Sequence, residues 1–349
     1  MAERCRLWLL SALLVSFHQS SGYFDGNGRR RGGGSIDCRV GLRFLALGDW
    51  GGLPLPPYIS PLELNTAHSM GAIAKKAPVD WIISLGDNFY YDGVTNDTDP
   101  RFQETFESVF TSRSLFVPWF VIAGNHDHHG NVTAQISYSK RSHRWNFPDY
   151  YYSRLFEVPD ERGKSRASLH LLTLDTVMLC GLPKGGGDGG GQPIGACDLQ
   201  SSKSQLQWLE EQLAHSNATY LLVAGHYPVW SVAEHGPTKC LLSLLRPLLI
   251  RYQVTAYLSG HDHCLQYLQE PGLSVGYVIS GAGTFMNPSL EHVADVPPGS
   301  LRFHFSDIEG LGGFVYATAT VQNLTFFYID GRGKSLFSVT LPPRRPNLK

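Results

Sequence analysis

The sequence carries almost no net charge: 29 Lys and Arg face 30 Asp and Glu. That excludes a global field for nucleic acid or an anionic membrane, so any pull on an anionic ligand must be local. No Cys-x-x-Cys spacing occurs, which argues against a cysteine zinc site. Beyond the N-terminus no run is long and uncharged enough to span a bilayer. There is no repeat of fixed period and no linker between the motif-bearing segments. A chain of 349 residues has room for two domains, but without a linker one interleaved domain is the simpler reading.

One apolar stretch stands at the N-terminus, and it is short. Arg4 and Arg6 precede residues 7–17, and Ser20-Ser21-Gly22 follows. Length and flanks match a cleavable signal peptide over residues 1–21, not a membrane span. Residues 22–39 are rich in Gly and Arg and read as a flexible leader, so one folded domain is expected over 40–349. The mature chain is then soluble and has entered the secretory pathway. Once Cys5 leaves with the signal, Cys38, Cys180, Cys197, Cys240 and Cys264 remain. That odd number, in an oxidising compartment, predicts a free thiol or an intermolecular bridge. Sequons at Asn96, Asn131, Asn217 and Asn323 permit glycosylation.

What the chain does have is one pattern used five times. An apolar strand runs into a glycine, and a polar residue able to bind metal follows. Leu42–Leu47 leads to Gly48-Asp49, 80–85 to Gly86-Asp87-Asn88-Phe89-Tyr90, and 119–123 to Gly124-Asn125-His126-Asp127. Tyr220–Ala224 leads to Gly225-His226, and 255–258 to Gly260-His261-Asp262-His263. Helical periodicity fills 63–76, 101–110, 203–214 and 239–252, with Phe102, Phe106, Val109 and Phe110 as core. Residues 145–158 read as aromatic and irregular. Residues 313–341 alternate like antiparallel strands around a turn at 330–333. Residues 184–192 form a low-complexity glycine loop, expected to be mobile and protease-sensitive.

A single Gly-Asp or Gly-His is an ordinary turn dipeptide. Five of them after strands, all ending in O or N donors, are hard to explain as turns. Strands separated by helices imply βαβ units, whose carboxyl ends share one edge where ligands bind. Carboxylates, an amide oxygen and imidazoles suit iron, zinc or manganese. Asp87 can offer one oxygen to each of two ions, and Tyr90 a phenolate to a hard trivalent one. Two ions roughly 3.5–4 Å apart suit in-line attack on phosphorus by a metal-bound hydroxide. His126, beside a ligand but not needed as one, can protonate a leaving alcohol. His128 and His129 read as cleft-rim or surface residues, and Asp127 and Asp262 as groups that orient histidines.

Together the motifs 48–51, 86–90, 124–127, 223–228 and 260–263 resemble the five motifs of calcineurin-like metallophosphatases. Tyr90 in the second motif narrows the resemblance to purple acid phosphatases. The text around 225–237 and 281–285 is similar to their small animal type, tartrate-resistant acid phosphatase. The resemblance covers about residues 40–341. It implies an α/β four-layer metallophosphatase fold: two mixed β-sheets packed face to face and flanked by helices. It implies an acid phosphatase acting on phosphate monoesters such as phosphoproteins, nucleotides and small aryl phosphates. It assigns Fe(III) to Asp49, Asp87, Tyr90 and His263, and Fe(II) or Zn to Asp87, Asn125, His226 and His261. His126 matches the family's catalytic histidine, and His235 a second histidine near the substrate. The family implies a lysosomal or secreted monomer. The loop at 184–198 stands where relatives carry a repression loop removed by a protease, although its glycine content departs from the pattern. Cys180 and Cys240 match the family's disulfide. Cys38 and Cys197 are extra and available to pair, and a thiol at Cys264 is unexpected. Two other readings stay open: a metallophosphodiesterase on the same scaffold, and a secreted iron-binding or redox glycoprotein.

Overall fold

A computed structural model describes residues 40–184, 191–307 and 311–344. The expected signal, the leader, Cys38 and the middle of the glycine loop lie outside the described residues. The strands, in chain order, are β1 (Leu42–Leu47), β2 (Trp81–Ser84), β3 (Trp119–Val121), β4 (Trp145–Asn146), β5 (Tyr152–Pro159), β6 (Ser165–Thr173) and β7 (Tyr220–Ala224). They continue as β8 (Ala256–Ser259), β9 (Leu265–Leu268), β10 (Gly276–Ser280), β11 (Leu301–Phe305), β12 (Gly313–Ala319), β13 (Leu324–Asp330) and β14 (Ser335–Leu341).

They build two mixed seven-stranded sheets, ordered β14-β13-β12-β1-β2-β3-β4 and β11-β9-β10-β8-β7-β6-β5. In the first, β1 to β4 are parallel and β12 to β14 extend the sheet antiparallel. In the second, β6, β7, β8 and β10 are parallel, β5 and β9 run against them, and β11 pairs antiparallel with β9. This is the two-sheet, helix-flanked fold that the resemblance implies. The chain leaves the first sheet after β4 and returns to it at β12, so the sheets are interleaved in sequence.

β7 shows why its sequence is a continuous apolar run. Tyr220, Leu222 and Ala224 face the core shared by the two sheets. Leu221 and Val223 face a second core, filled by Leu209 and Leu213 of the helix Leu199–His215 and by Leu245 and Leu249. A strand covered on both faces loses its polar alternation.

Three local readings change. The first helix starts at Pro61, not near 63, because Ser60 and Glu63 form a reciprocal cap: Glu63 N donates to Ser60 Oγ at 3.0 Å, and Ser60 N to Glu63 Oε2 at 3.2 Å. The expected helix over 239–252 is two helices, Lys239–Leu244 and Arg246–Arg251, because Pro247 supplies no N–H to continue the first. Residues 145–158 are less irregular than expected, since they hold β4 and most of β5. There Tyr152, Phe156 and Val158 share one face, with Phe156 stacked on Trp81 at 4.7 Å, but Arg154 interrupts that apolar face and the exposed Leu155 stands on the other, which hides the two-residue period. Cys180 and Cys240 are bridged, as the resemblance implies. No described helix is long and apolar enough to cross a membrane.

Candidate active site

The five strand ends meet because hydrogen bonds join the two sheets there. Gly48 N donates to Ser280 O at 2.8 Å, Ser280 Oγ to Ala46 O at 2.8 Å, and His226 Nδ1 pairs with Leu85 O at 2.8 Å. Asp49, Asp87 and Asn125 come from the first sheet. His226, His261 and His263 come from the second.

The backbone at this edge is unusual. Asp49 (φ 59°), Asp87 (φ 52°) and His261 (φ 70°) all adopt the left-handed conformation. That costs about 1–2 kcal/mol for an ordinary L-residue, and Asp, Asn and His are the non-glycine types that tolerate it best. Local bonds offset the cost: Asp49 N donates to Gly86 O at 3.0 Å, and His261 N to Asp49 Oδ2 at 2.9 Å. The neighbouring glycines make room for ligands as well as turns. A Cβ on Gly124 would lie 2.2 Å from Asp87 Oδ1, and one on Gly260 2.3 Å from Asp49 Oδ2. Gly124→Ala is therefore expected to displace the Asp87 carboxylate and lower bound metal per chain, measured by elemental analysis of folded protein. Full metal content in that variant would refute this role for the glycine.

Donor atoms of Asp87, His226 and His261 lie within 4.8 Å of one another, and all three residues are buried. His226 Nε2 is 2.9 Å from Asn125 Oδ1 and 3.3 Å from Asp87 Oδ2. Beside them a second group gathers on Tyr90, whose hydroxyl donates to Asp49 Oδ1 at 3.3 Å and lies 3.0 Å from His263 Nε2. All seven residues singled out as metal ligands thus come to one place.

Electrostatics describes a pocket that calls for positive charge. The ion-pair partners of Asp87 and Asp49 among the described residues are His226 and His263, with no Lys or Arg. Burial pushes Asp49 well up, helped by the Asp87 carboxylate. Burial would also raise Asp87, but His226 and His126 outweigh it and hold it down. Burial lowers His226, yet the Asp87 and Asp49 carboxylates carry it up to about 9. A proton on His226 thus serves the carboxylates where a cation would. Burial, with His235, His226 and His263 close by, drives His261 far down and keeps its imidazole neutral, the form that binds a metal. Buried carboxylates, an amide oxygen, a phenol and imidazoles fit two hard or borderline ions.

His126 stands beside this group. Its N–H donates to Asp87 Oδ1 at 3.0 Å, and its Nδ1 is 2.8 Å from the carbonyl of Tyr91. A carbonyl only accepts, so Nδ1 carries the hydrogen, which fixes the tautomer of the neutral ring. His235 stacks on His261 at 4.0 Å. One expectation is corrected and one is refined. Asp127 does not orient a histidine: its carboxylate accepts from Gly124 N at 2.8 Å, Asn88 N at 3.1 Å and Gln135 Nε2 at 2.7 Å, tying the second motif to the third. Asp262 does fix a histidine, but through its backbone, accepting from His235 N at 2.9 Å. His128 is more than a rim residue, being 2.7 Å from the buried Asp175 at the end of β6. Sequence reasoning missed Asp175 because no glycine marks that strand end. It also missed the Tyr91 carbonyl, which no side-chain pattern reports, and Asn88, whose amide donates to Ile122 O at 2.9 Å.

This fold and donor set define a calcineurin-like phosphoesterase. That family's profile matches residues 42–265, and the chain belongs to it. It is 52% identical over 309 residues to human tartrate-resistant acid phosphatase type 5, covering 87% of this chain and 91% of the relative. It is 30% identical to Arabidopsis thaliana purple acid phosphatase 17, covering 84% of this chain and 82% of that one. Within the family the chain is thus a purple acid phosphatase of the tartrate-resistant type, a phosphoric monoester hydrolase. The solved structure of GAP50, the anchor in the inner membrane complex of Plasmodium, aligns with a TM-score of 0.74 over 88% of this chain and 91% of its own. At 21% identity that likeness concerns the fold alone.

Proposed function

We propose that this acid phosphatase hydrolyses phosphoproteins, nucleotides and small aryl phosphates at a dinuclear site centred on Asp87. The observation that carries the reading is the convergence of Asp87, His226 and His261 beside the Asp49–Tyr90–His263 group. Asp49, Asp87, Tyr90 and His263 would hold Fe(III), and Asp87, Asn125, His226 and His261 would hold Fe(II) or Zn. Bound ions supply an acidified water and offset the charge of the phosphate oxygens. The chain's own residues do the rest. As the ester P–O bond breaks, the His126 imidazolium gives its Nε2 proton to the leaving oxygen and spares it the cost of departing as an alkoxide. His235 donates to a phosphate oxygen.

Tyr90 tests the iron assignment. Purified protein should show a tyrosinate-to-Fe(III) absorption band at about 500–560 nm, and Tyr90→Phe should lose it. A colourless wild-type enzyme with full turnover would rule iron out on that side.

The remainder of the reading follows the family resemblance together with the N-terminal sequence and the sequons. The chain is a monomeric glycoprotein of the secretory pathway, lysosomal or secreted, with one catalytic domain over 40–349 behind a signal peptide and leader. We further propose activation by a protease cut in the loop at 184–198. Around that loop Pro183 bridges Pro193, Gly195 N donates to Cys180 O at 2.8 Å, and Cys180 is bonded to Cys240. A single cut should therefore give one band on non-reducing electrophoresis and two after reduction, with turnover raised. Unchanged turnover after complete cleavage would remove the regulatory role.

A further inference from the structure

His235 sits in a stretch without regular structure, yet its ring is stacked on a buried ligand histidine. Something other than a helix or strand must hold it. Its N–H is fixed by Asp262 Oδ1 at 2.9 Å. Its carbonyl is held from the opposite side by one side chain, Gln192, at the end of the glycine loop. Gln192 Nε2 donates to His235 O at 3.3 Å and to Pro237 O at 3.1 Å, and Gln192 Oε1 accepts from Lys239 N at 2.9 Å. One side-chain amide thus satisfies three backbone groups within five residues, as a neighbouring strand would.

Gln192 is itself anchored. The next residues bond to the stretch before the glycine loop: Ile194 N donates to Leu182 O at 3.1 Å and Gly195 N to Cys180 O at 2.8 Å. Cys180 is disulfide-bonded to Cys240, which directly follows Lys239. Gln192 therefore closes a frame running through residues 180, 195, 192, 239 and 240. The residue after His235 has no slack, since Gly236 is left-handed (φ 65°) and a Cβ there would lie 2.5 Å from the His292 ring.

From this frame we infer that Gln192 is a positioning residue for the phosphatase reaction: it fixes the 235–239 stretch and so sets where the His235 imidazole meets the substrate. The inference rests on the proposed substrate role of His235. It differs from a cut-dependent effect of the loop, because it assigns a supporting role to a residue of the intact chain.

A double-mutant cycle with full-length, metal-loaded protein and 4-nitrophenyl phosphate tests it. Gln192→Met keeps the length of the side chain and removes its hydrogen bonds. It should lower kcat/KM about 5- to 10-fold, a cost in keeping with a small misplacement of a reacting group, with metal content unchanged. In a His235→Ala background the same change should cost nothing further, because the group it positions is gone. Gln192→Glu keeps the acceptor for Lys239 N and sets a carboxylate against two carbonyls. It should lose at least as much as the Met variant, again only when His235 is present, and it carries the test if the Met variant fails to fold. Wild-type kcat/KM in both Gln192 variants, with His235→Ala impaired, would overturn the positioning role and leave His235 standing. Equal losses with and without His235 would show that Gln192 acts elsewhere. Wild-type kinetics in His235→Ala would overturn the histidine's role and this inference with it.

Discussion

Replacing His126 with alanine should lower turnover of a phosphomonoester at pH about 5 by roughly 10²- to 10⁴-fold, the range lost with a general acid. Bound metal should be unchanged. The separation follows from geometry. The donor atoms that lie within 4.8 Å of one another belong to Asp87, His226 and His261, not to His126. His126 touches that group through its backbone N–H, which donates to Asp87 Oδ1 and which alanine keeps. What alanine removes is a ring fixed by the Tyr91 carbonyl at Nδ1 and edge-on to Tyr90 at 4.8 Å. The loss should be largest for esters of poorly acidic alcohols, whose oxygen most needs a proton, and smallest for 4-nitrophenyl phosphate. Elemental analysis, the visible band and kcat across such a leaving-group series check each part. An alanine variant with full kcat on alkyl esters would remove His126 from the proton-donor role. One that lost its metals would make it a ligand.

Replacing Asp87 with asparagine should have the larger effect. Asparagine has the same shape and also tolerates the left-handed backbone found there, so the fold should survive. The charge that both ions would share is lost. Metal content should fall from two per chain to one or fewer, and turnover should drop by more than about 10³-fold, because metal assistance supplies several kcal/mol of transition-state stabilisation. Thermal unfolding gives an independent readout. Metal that binds only the folded state raises stability by about 4 kcal/mol at a thousandfold excess over its Kd, so added metal should raise the Tm of the wild type by clearly more than that of the variant. Two bound ions and wild-type turnover in Asp87→Asn would refute Asp87 as the shared ligand.

The strand ends were readable because each combines a buried apolar run with glycine and a donor, and that pattern survives without coordinates. The resemblance added the two-sheet architecture, since nothing in a Gly-Asp or Gly-His dipeptide says which sheet its strand joins. Other features were in the letters but unread, such as the Ser60–Glu63 cap that starts the first helix at Pro61. The rest was not there to read. That Gly124 lies against the Asp87 carboxylate depends on two strands meeting in space. The Tyr91 carbonyl that sets the His126 ring carries no residue-type signal. Asp127 reads as a group that orients a histidine, whereas its hydrogen-bond partners are backbone and amide groups of 88, 124 and 135.

The left-handed backbone at 49, 87 and 261 also limits which amino acids could ever serve there. Glutamate brings the same charge as aspartate and binds the same metals. It lacks the short side chain that makes αL tolerable, and it would overrun the space beside Gly124 and Gly260. Conformation and coordination thus select from different lists, and aspartate and histidine are among the few residues on both. The restriction gives a physical reason why these three strand ends read Gly-Asp, Gly-Asp and Gly-His and not Gly-Glu: the vocabulary of the site is set there by the shape of the chain as much as by the chemistry of the ions.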